Sequence, residues 1–218
     1  MQGLLDVCHL DEAGFAMTLP VCCSWFPVGE RLTVPYEAPQ GRRVNAIGAH
    51  FTHGPAAGRF AYRTWAALPK SRAKQPRKTP AEVAAAQGLR VDEVGPIDAE
   101  RFLAFVWHIA GRAADAPAGW RRERPLMVVL DNYSVHTSQA VAAASPQLAG
   151  ADVHLVYLPS YCPELSAIEP DWNDVKQHQL PVRSFARVAD LKRAVDDALE
   201  RKAHQLQQRY AKTTNFGR

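Results

Sequence analysis

The sequence predicts an α/β fold, a mixed five-stranded sheet flanked by helices, and three observations lead there. Apolar segments of strand character, punctuated by glycine and proline, fill the first quarter of the chain. A helical apolar stripe follows, and the second half alternates two continuous apolar runs with helical stretches. At 218 residues the chain is long enough to bury a proper core, so one domain is the expectation.

The elements follow in order. Residues 4–10, 15–23 and 44–51 read as three strands, separated by Gly14, by Pro27 with Gly29, and by Pro39 with Gly41, which suggests an antiparallel meander. From about 66 to 97 the periodicity fades. This stretch holds Pro69, Pro76 and Pro80, a short helix over 80–87, and the character of an exposed basic insertion. Asp98 can cap the next helix, whose Phe102, Phe105, Val106 and Ile109 share one face. Residues 126–130 (Leu-Met-Val-Val-Leu) form the kind of continuous apolar run that a strand buried on both faces requires. A helix near 137–144 and a second buried strand over 153–158 complete a parallel crossover. Two helices end the chain, over 166–177 and 187–210, the second with Val188, Leu191, Val195 and Leu199 on one stripe, in a helical extension spanning about 185–218.

Charge narrows the partner class. The net charge of +4 and pI near 9.0 favour an anionic partner without naming it. Lys70, Arg72, Lys74, Arg77 and Lys78 fall in a stretch without acids, either a track for phosphates or an ordinary solvated loop. No run of eighteen apolar residues and no export signal occurs, so a soluble cytoplasmic protein is the expectation. Cys8, Cys22, Cys23 and Cys162 lack zinc-site spacing and read as small buried hydrophobes.

Three carboxylates are placed where chemistry is expected. Asp11 closes the first strand, Asp131 closes the fourth, and Glu169 lies in the first turn of the helix after the fifth. If the first and fourth strands are neighbours, the two aspartates meet at one sheet edge. Such oxygens suit two Mg²⁺ ions about 4 Å apart, the arrangement that stabilises both entering and leaving oxygens in phosphodiester cleavage. Each residue has a plainer reading. Asp11 and Glu12 can open a turn before Gly14, and because neighbouring strand residues point to opposite faces only one of them can face a site. Asp131 and Asn132 are common turn formers, and Ser166-Ala-Ile-Glu169 is a capping-box pattern that would occupy the glutamate at the helix start.

The stretch Val128-Val-Leu-Asp-Asn-Tyr-Ser-Val-His136, followed by Leu158-Pro-Ser-Tyr-Cys-Pro-Glu-Leu-Ser-Ala-Ile-Glu-Pro-Asp-Trp172, resembles the catalytic core of the IS630 and Tc1/mariner transposases. Asp11-Glu12-Ala-Gly-Phe, Trp25 with Gly29, and Arg43-Val-Asn-Ala-Ile-Gly48 resemble the start of the same domain, so the likeness spans nearly the whole chain. The resemblance implies a ribonuclease H-like fold and a DDE catalytic domain that cleaves DNA at transposon ends and transfers the strand into target DNA. It places Asp11, Asp131 and Glu169 in the acidic triad that holds two Mg²⁺ ions, with Mn²⁺ as a substitute. Asn132 and His136 lie beside the site, to contact phosphate or orient a carboxylate, while a turn role for Asn132 stays open. Trp172 reads as packing rather than base stacking, and Tyr161, Lys176 and Arg183 have structural or solvated alternatives. Double-stranded DNA is the implied partner, together with a second copy of the chain or an upstream helix-turn-helix segment, and a nucleoid location goes with it.

Two departures qualify the likeness. Ser166 and Ala167 stand where the family has Asn-Pro, and the helix-turn-helix region that the family carries ahead of its first catalytic strand is expected to be absent. A non-catalytic remnant or partner domain that binds DNA or another transposase chain, and one product of a split gene, are the alternative expectations.

Overall fold

The computed structural model describes residues 4–18, 27–30, 43–69, 78–159 and 162–215. Its five strands are β1 (Asp6–Ala16), β2 (Arg43–His53), β3 (Phe60–Ala66), β4 (Leu126–Leu130) and β5 (Val153–Tyr157). They form one sheet in the order β3-β2-β1-β4-β5. The β1–β2 and β2–β3 pairs are antiparallel, whereas β1–β4 and β4–β5 are parallel. The helices are α1 (Pro80–Gln87), α2 (Ala99–Ala110), α3 (Gln139–Gly150), α4 (Glu169–Asp174), continued by a π-helical turn at Val175–Gln179, and α5 (Val188–Asn215).

Two apolar layers cover the sheet. On one side Cys8, Leu10 and the buried residues of β4 pack against Phe102, Phe105, Val106 and Ile109 of α2 and against Val141 and Leu148 of α3. On the other side Ala13, Phe15, Val44 and Ala46 meet Trp172 of α4 and Val188, Leu191, Val195 and Leu199 of α5. The alternation of β1 therefore assigns Cys8, Leu10 and Glu12 to the α2 side and His9, Asp11 and Ala13 to the α4 side.

Several elements follow their local signals. Thr79 caps α1 in a reciprocal capping box with Glu82, and Asp98 caps α2 by accepting from the Arg101 N–H at 3.0 Å. β4 is internal to the sheet as the apolar run suggested, but only Leu126, Val128 and Leu130 are fully buried, and β5 is a half-covered edge strand rather than a second buried one.

Other elements differ from the sequence reading. Gly14 does not break β1, because it lies in continuous register opposite Asn45, so Phe15 and Ala16 belong to the first strand. Residues 19–23 of the expected second strand lie outside the described residues. Asp11 consequently sits inside β1 rather than at its end. β3 escaped the reading. As an edge strand with half-buried residues, it lacks a clean alternation. The stretch expected as an exposed insertion contributes Val83, Ala84 and Val94 to the core. The helix expected over 166–177 begins at Glu169 and changes to the π-helical turn after Asp174.

Candidate active site

The register of β1 against β4 brings the two aspartates together. His9 pairs with Val129, and two further residues along the same register place Asp11 level with Asp131. β1, β4 and β5 run parallel, so the loops after β4 and β5 leave the same edge of the sheet, where ligands of open α/β sheets bind. The loop after β5 leads to α4, and Glu169 is its first residue. Asp11, Asp131 and Glu169 all line one cavity of about 400 Å³, shared with Leu10, Asn132, Tyr133, Leu158, Pro159, Cys162 and Ser166.

Glu169 is not absorbed by helix capping. Ile168 occupies the N-cap position and no side chain caps the helix, so the Ser166–Glu169 capping box does not form. Ser166 instead accepts the Glu169 N–H through its backbone carbonyl at 3.3 Å. The glutamate carboxylate is left to the cavity.

Burial pushes the Asp11 carboxyl up to about 7, and the negative charges of Glu12, Glu169 and Asp131 add to the effect. Among the described residues that line the cavity none is a lysine, arginine or histidine. Three hard oxygen donors converging on one cavity fit a divalent cation of the Mg²⁺ type, which keeps several waters and needs few direct ligands. Among the described residues, no three His, Cys, Asp or Glu side chains are gathered tightly enough to enclose an ion by themselves.

Around the carboxylates, short-range contacts shape the Asp131 turn. Asp131 Oδ1 accepts the Tyr133 N–H at 2.9 Å and lies 2.9 Å from His136 Nδ1. The other ring nitrogen, Nε2, lies 3.0 Å from Glu12 Oε1. His136 is fully buried, and although burial opposes its charge, Glu12 and Asp131 together raise its pKa above the ordinary value. Asn132 donates to the Leu158 carbonyl at 2.7 Å and thereby joins the ends of β4 and β5. Its amide serves the turn. His9, on the Asp11 side of β1, accepts the Ala167 N–H at Nδ1 (3.2 Å) and so holds the loop before Glu169. Burial, assisted by His50 and His53, lowers its pKa and favours the neutral ring that this acceptor role needs.

Long-range contacts hold α4. Trp172 is 1% exposed and meets Phe15 and Phe60 edge-on, at centroid distances of 6.3 and 5.8 Å. Its ring covers Gly48, the residue paired with Asp11, and a Cβ at Gly48 would lie 2.8 Å from the ring. Asp171 is buried between His50 Nδ1 at 2.7 Å and Lys202 Nζ at 3.0 Å, and Lys202 also reaches Asp174 at 3.1 Å. The His50 contact is an ion pair by distance but is not aligned as a hydrogen bond.

The remaining sequence candidates divide. Lys78 is exposed. Lys70, Arg72, Lys74, Arg77 and Tyr161 lie outside the described residues. Lys176 lies over the Phe15 ring at 5.8 Å and Arg183 over Phe185 at 4.8 Å, so both are engaged with the protein. His9, the packing role of Gly48 and the Asp171 cluster escaped the sequence reading, which weighed Glu12 only as the neighbour of Asp11. Only Glu12 had a signal there, its adjacency to Asp11 on the opposite face. No helix among the described residues is long and apolar enough to cross a membrane.

A mixed five-stranded sheet with carboxylates converging at the edge of its central strands defines an α/β protein of ribonuclease H-like architecture. Residues 83–192, half of the chain, match the family described as DDE superfamily endonuclease, and the chain belongs to that family. Similar solved structures include the Mos1 transposase paired-end complex with left transposon end, with a TM-score of 0.53, 15% identity and 95% of this chain covered. The Mos1 strand transfer complex gives a TM-score of 0.52 at 16% identity over 95% of this chain. The mariner Mos1 paired end complex with Mg gives 0.51 at 17% identity over 95%. The chain spans about half of those chains, covering 54%, 53% and 54% of their lengths. Among curated proteins, none matches.

Proposed function

We propose that this chain is the catalytic domain of a DNA transposase of the IS630 and Tc1/mariner type, cutting DNA at transposon ends and joining the freed strand to target DNA. The observation that carries this reading is the convergence of Asp11, Asp131 and Glu169 on one cavity at the carboxyl edge of the sheet. Membership of the DDE endonuclease family and the fold shared with Mos1 transposase complexes support it.

The three carboxylates are the proposed ligands of two Mg²⁺ ions, with Mn²⁺ able to replace them, as the Mg in a Mos1 paired-end complex suggests. Bound there, the ions supply positive charge to the transferring phosphoryl group and acidify water. Asp11 presents its oxygens from within β1, and Asp131 from the residue just past the end of the neighbouring β4. Glu169 presents its own from the start of α4. Tyr133, half exposed and part of the cavity wall, borders the path of a DNA strand entering it. The basic stretch Lys70, Arg72, Lys74, Arg77 and Lys78 is proposed to follow the DNA backbone. Pairing with a second copy would bring two ends together, and a helix-turn-helix segment would choose the sequence.

A nicking assay with Mg²⁺ and transposon-end DNA tests the reading. The wild-type chain is expected to nick, and Asp131→Asn to lose activity by at least about a hundredfold, since a divalent site contributes several kcal/mol to such transition states. Equal nicking by both proteins rejects the mechanism. Calorimetric titration with Mn²⁺ gives the companion result, binding in the wild type that Glu169→Gln weakens.

A further inference from the structure

Adjacent acids on a strand cannot both face one site, and Asp11 and Glu12 are such a pair. Asp11 lines the main cavity while Glu12 turns to the α2 side, where a cation or a partner must compensate its half-buried charge. That partner is His136, with Nε2 3.0 Å from Glu12 Oε1. The ring has little freedom to leave. It is fully buried, stacks on Phe102 of α2 at 4.7 Å, and meets the edge of Tyr133 at 5.7 Å. Its backbone is fixed as well, because the Tyr157 hydroxyl donates to the His136 carbonyl at 2.9 Å.

The opposite ring nitrogen faces the site. Nδ1 lies 2.9 Å from Asp131 Oδ1, which also accepts the Tyr133 N–H at 2.9 Å. The Tyr133 N–H and the ring both reach that oxygen, and Nδ1 is shared with the Asp131 backbone carbonyl at 3.1 Å. Among the described residues none reaches Oδ2, and the Asp131 side chain is 58% exposed, so the carboxylate would swing freely without its Oδ1 contacts. The order of contacts is thus Glu12, His136, Asp131, running from the back of β1 through the core to the tip of β4.

We infer that Glu12 is a positioning residue for the metal ligand Asp131: it fixes the His136 ring, and the ring holds Asp131 Oδ1 so that Oδ2 is presented to a divalent cation. The inference rests on the proposed metal role of Asp131. It assigns to a residue outside the triad the task that outer partners perform at metal sites, where their removal typically costs about 10–100-fold in affinity. Glu12 is assigned no direct contact with substrate or cation, and its hold on Asp131 is exerted through the ring.

The test uses the full chain and two substitutions, Glu12→Ala and Glu12→Gln, with thermal melting to establish that each is folded. Mn²⁺ affinity is read by calorimetry, and the His136 ring nitrogens by ¹⁵N NMR of the metal-free protein. Glu12→Ala is expected to bind Mn²⁺ about 10–100-fold more weakly and to shift both ring resonances. Glu12→Gln keeps an acceptor for Nε2 and is expected to recover most of the affinity, a rescue that a merely structural loss would not show. Wild-type affinity in folded Glu12→Ala overturns the inference, as does an equal loss in both variants, which would mark a charge effect. If the wild-type protein itself binds no Mn²⁺, the proposed function fails. The NMR arm still decides the brace in that case, because unchanged ring resonances in Glu12→Ala would show that Glu12 does not hold the ring.

Discussion

Asp131 and Glu169 reach the same cavity from regions held in different ways. The Asp131 turn is secured first by contacts within six residues of sequence, from the Tyr133 N–H and His136, and is then tied to β5 through Asn132 and Tyr157 and to β1 through Glu12. Among the described residues the Glu169 carboxylate has no such local partner. Its helix has no side-chain cap, and its position depends on Trp172 against Gly48 and on Asp171 between His50 of β2 and Lys202 of α5. One carboxylate is placed by a loop that carries its own hydrogen bonds, the other by a helix wedged into the tertiary core. Damage to the core should therefore separate the two.

The largest expected effect is on the α4 side. Trp172→Ala removes a buried indole and is expected to cost about 3–5 kcal/mol of stability, measurable by urea unfolding. At temperatures where the variant remains folded, Glu169-dependent Mn²⁺ binding should fall while the ring resonances of His136 stay in place. Movement of both would break the proposed independence of the regions.

Lys202→Met comes next, because it leaves Asp171 with His50 as its remaining close partner and is expected to cost about 3 kcal/mol, as removal of one member of a buried ion pair does. Gly48→Ala is expected to cost about 1–3 kcal/mol, since its Cβ would meet the immobile Trp172 ring. Loss of nicking by this variant, with unchanged His136 resonances, would show that the ring contact at Gly48 sets the place of Glu169. Full activity would mean that α4 tolerates the displacement.

The smallest effect concerns pH. Folded Asp11 holds its proton to about pH 7, whereas the unfolded chain releases it near the ordinary aspartate value of 3.8. Between those values the folded state binds more protons, so the contribution of Asp11 to stability falls as pH rises through the window. In EDTA, Asp11→Asn is expected to show a shallower decline of Tm from pH 5 to pH 8 than the wild type, and to be the more stable protein at pH 8. An identical decline would remove the like-charge cluster from the account of this site.

Much of the candidate site was legible because strand ends and short motifs are local. The apolar run before Asp131 announces a buried strand, and the buried strand delivers the aspartate. Asp98 marks its helix start through a side-chain oxygen that needs only the next three residues. The boundaries that failed share the opposite property. Gly14 is a break in isolation, but pairing with β2 carries the strand through it. Ser166 and Glu169 spell a cap, yet the helix begins at the glutamate instead.

By itself the sequence determined the order of strands and helices from Asp98 onward, the Asp131 turn with its histidine, and the three carboxylates worth testing, because these depend on periodicity, capping and motifs read over a few residues. Only the tertiary structure decided that β1 lies beside β4, that Asp11 faces the cavity while Glu12 faces His136, and that Glu169 escapes its cap. Those outcomes depend on which strands become neighbours and which side of a strand the core covers, and both are settled by packing between residues more than a hundred positions apart.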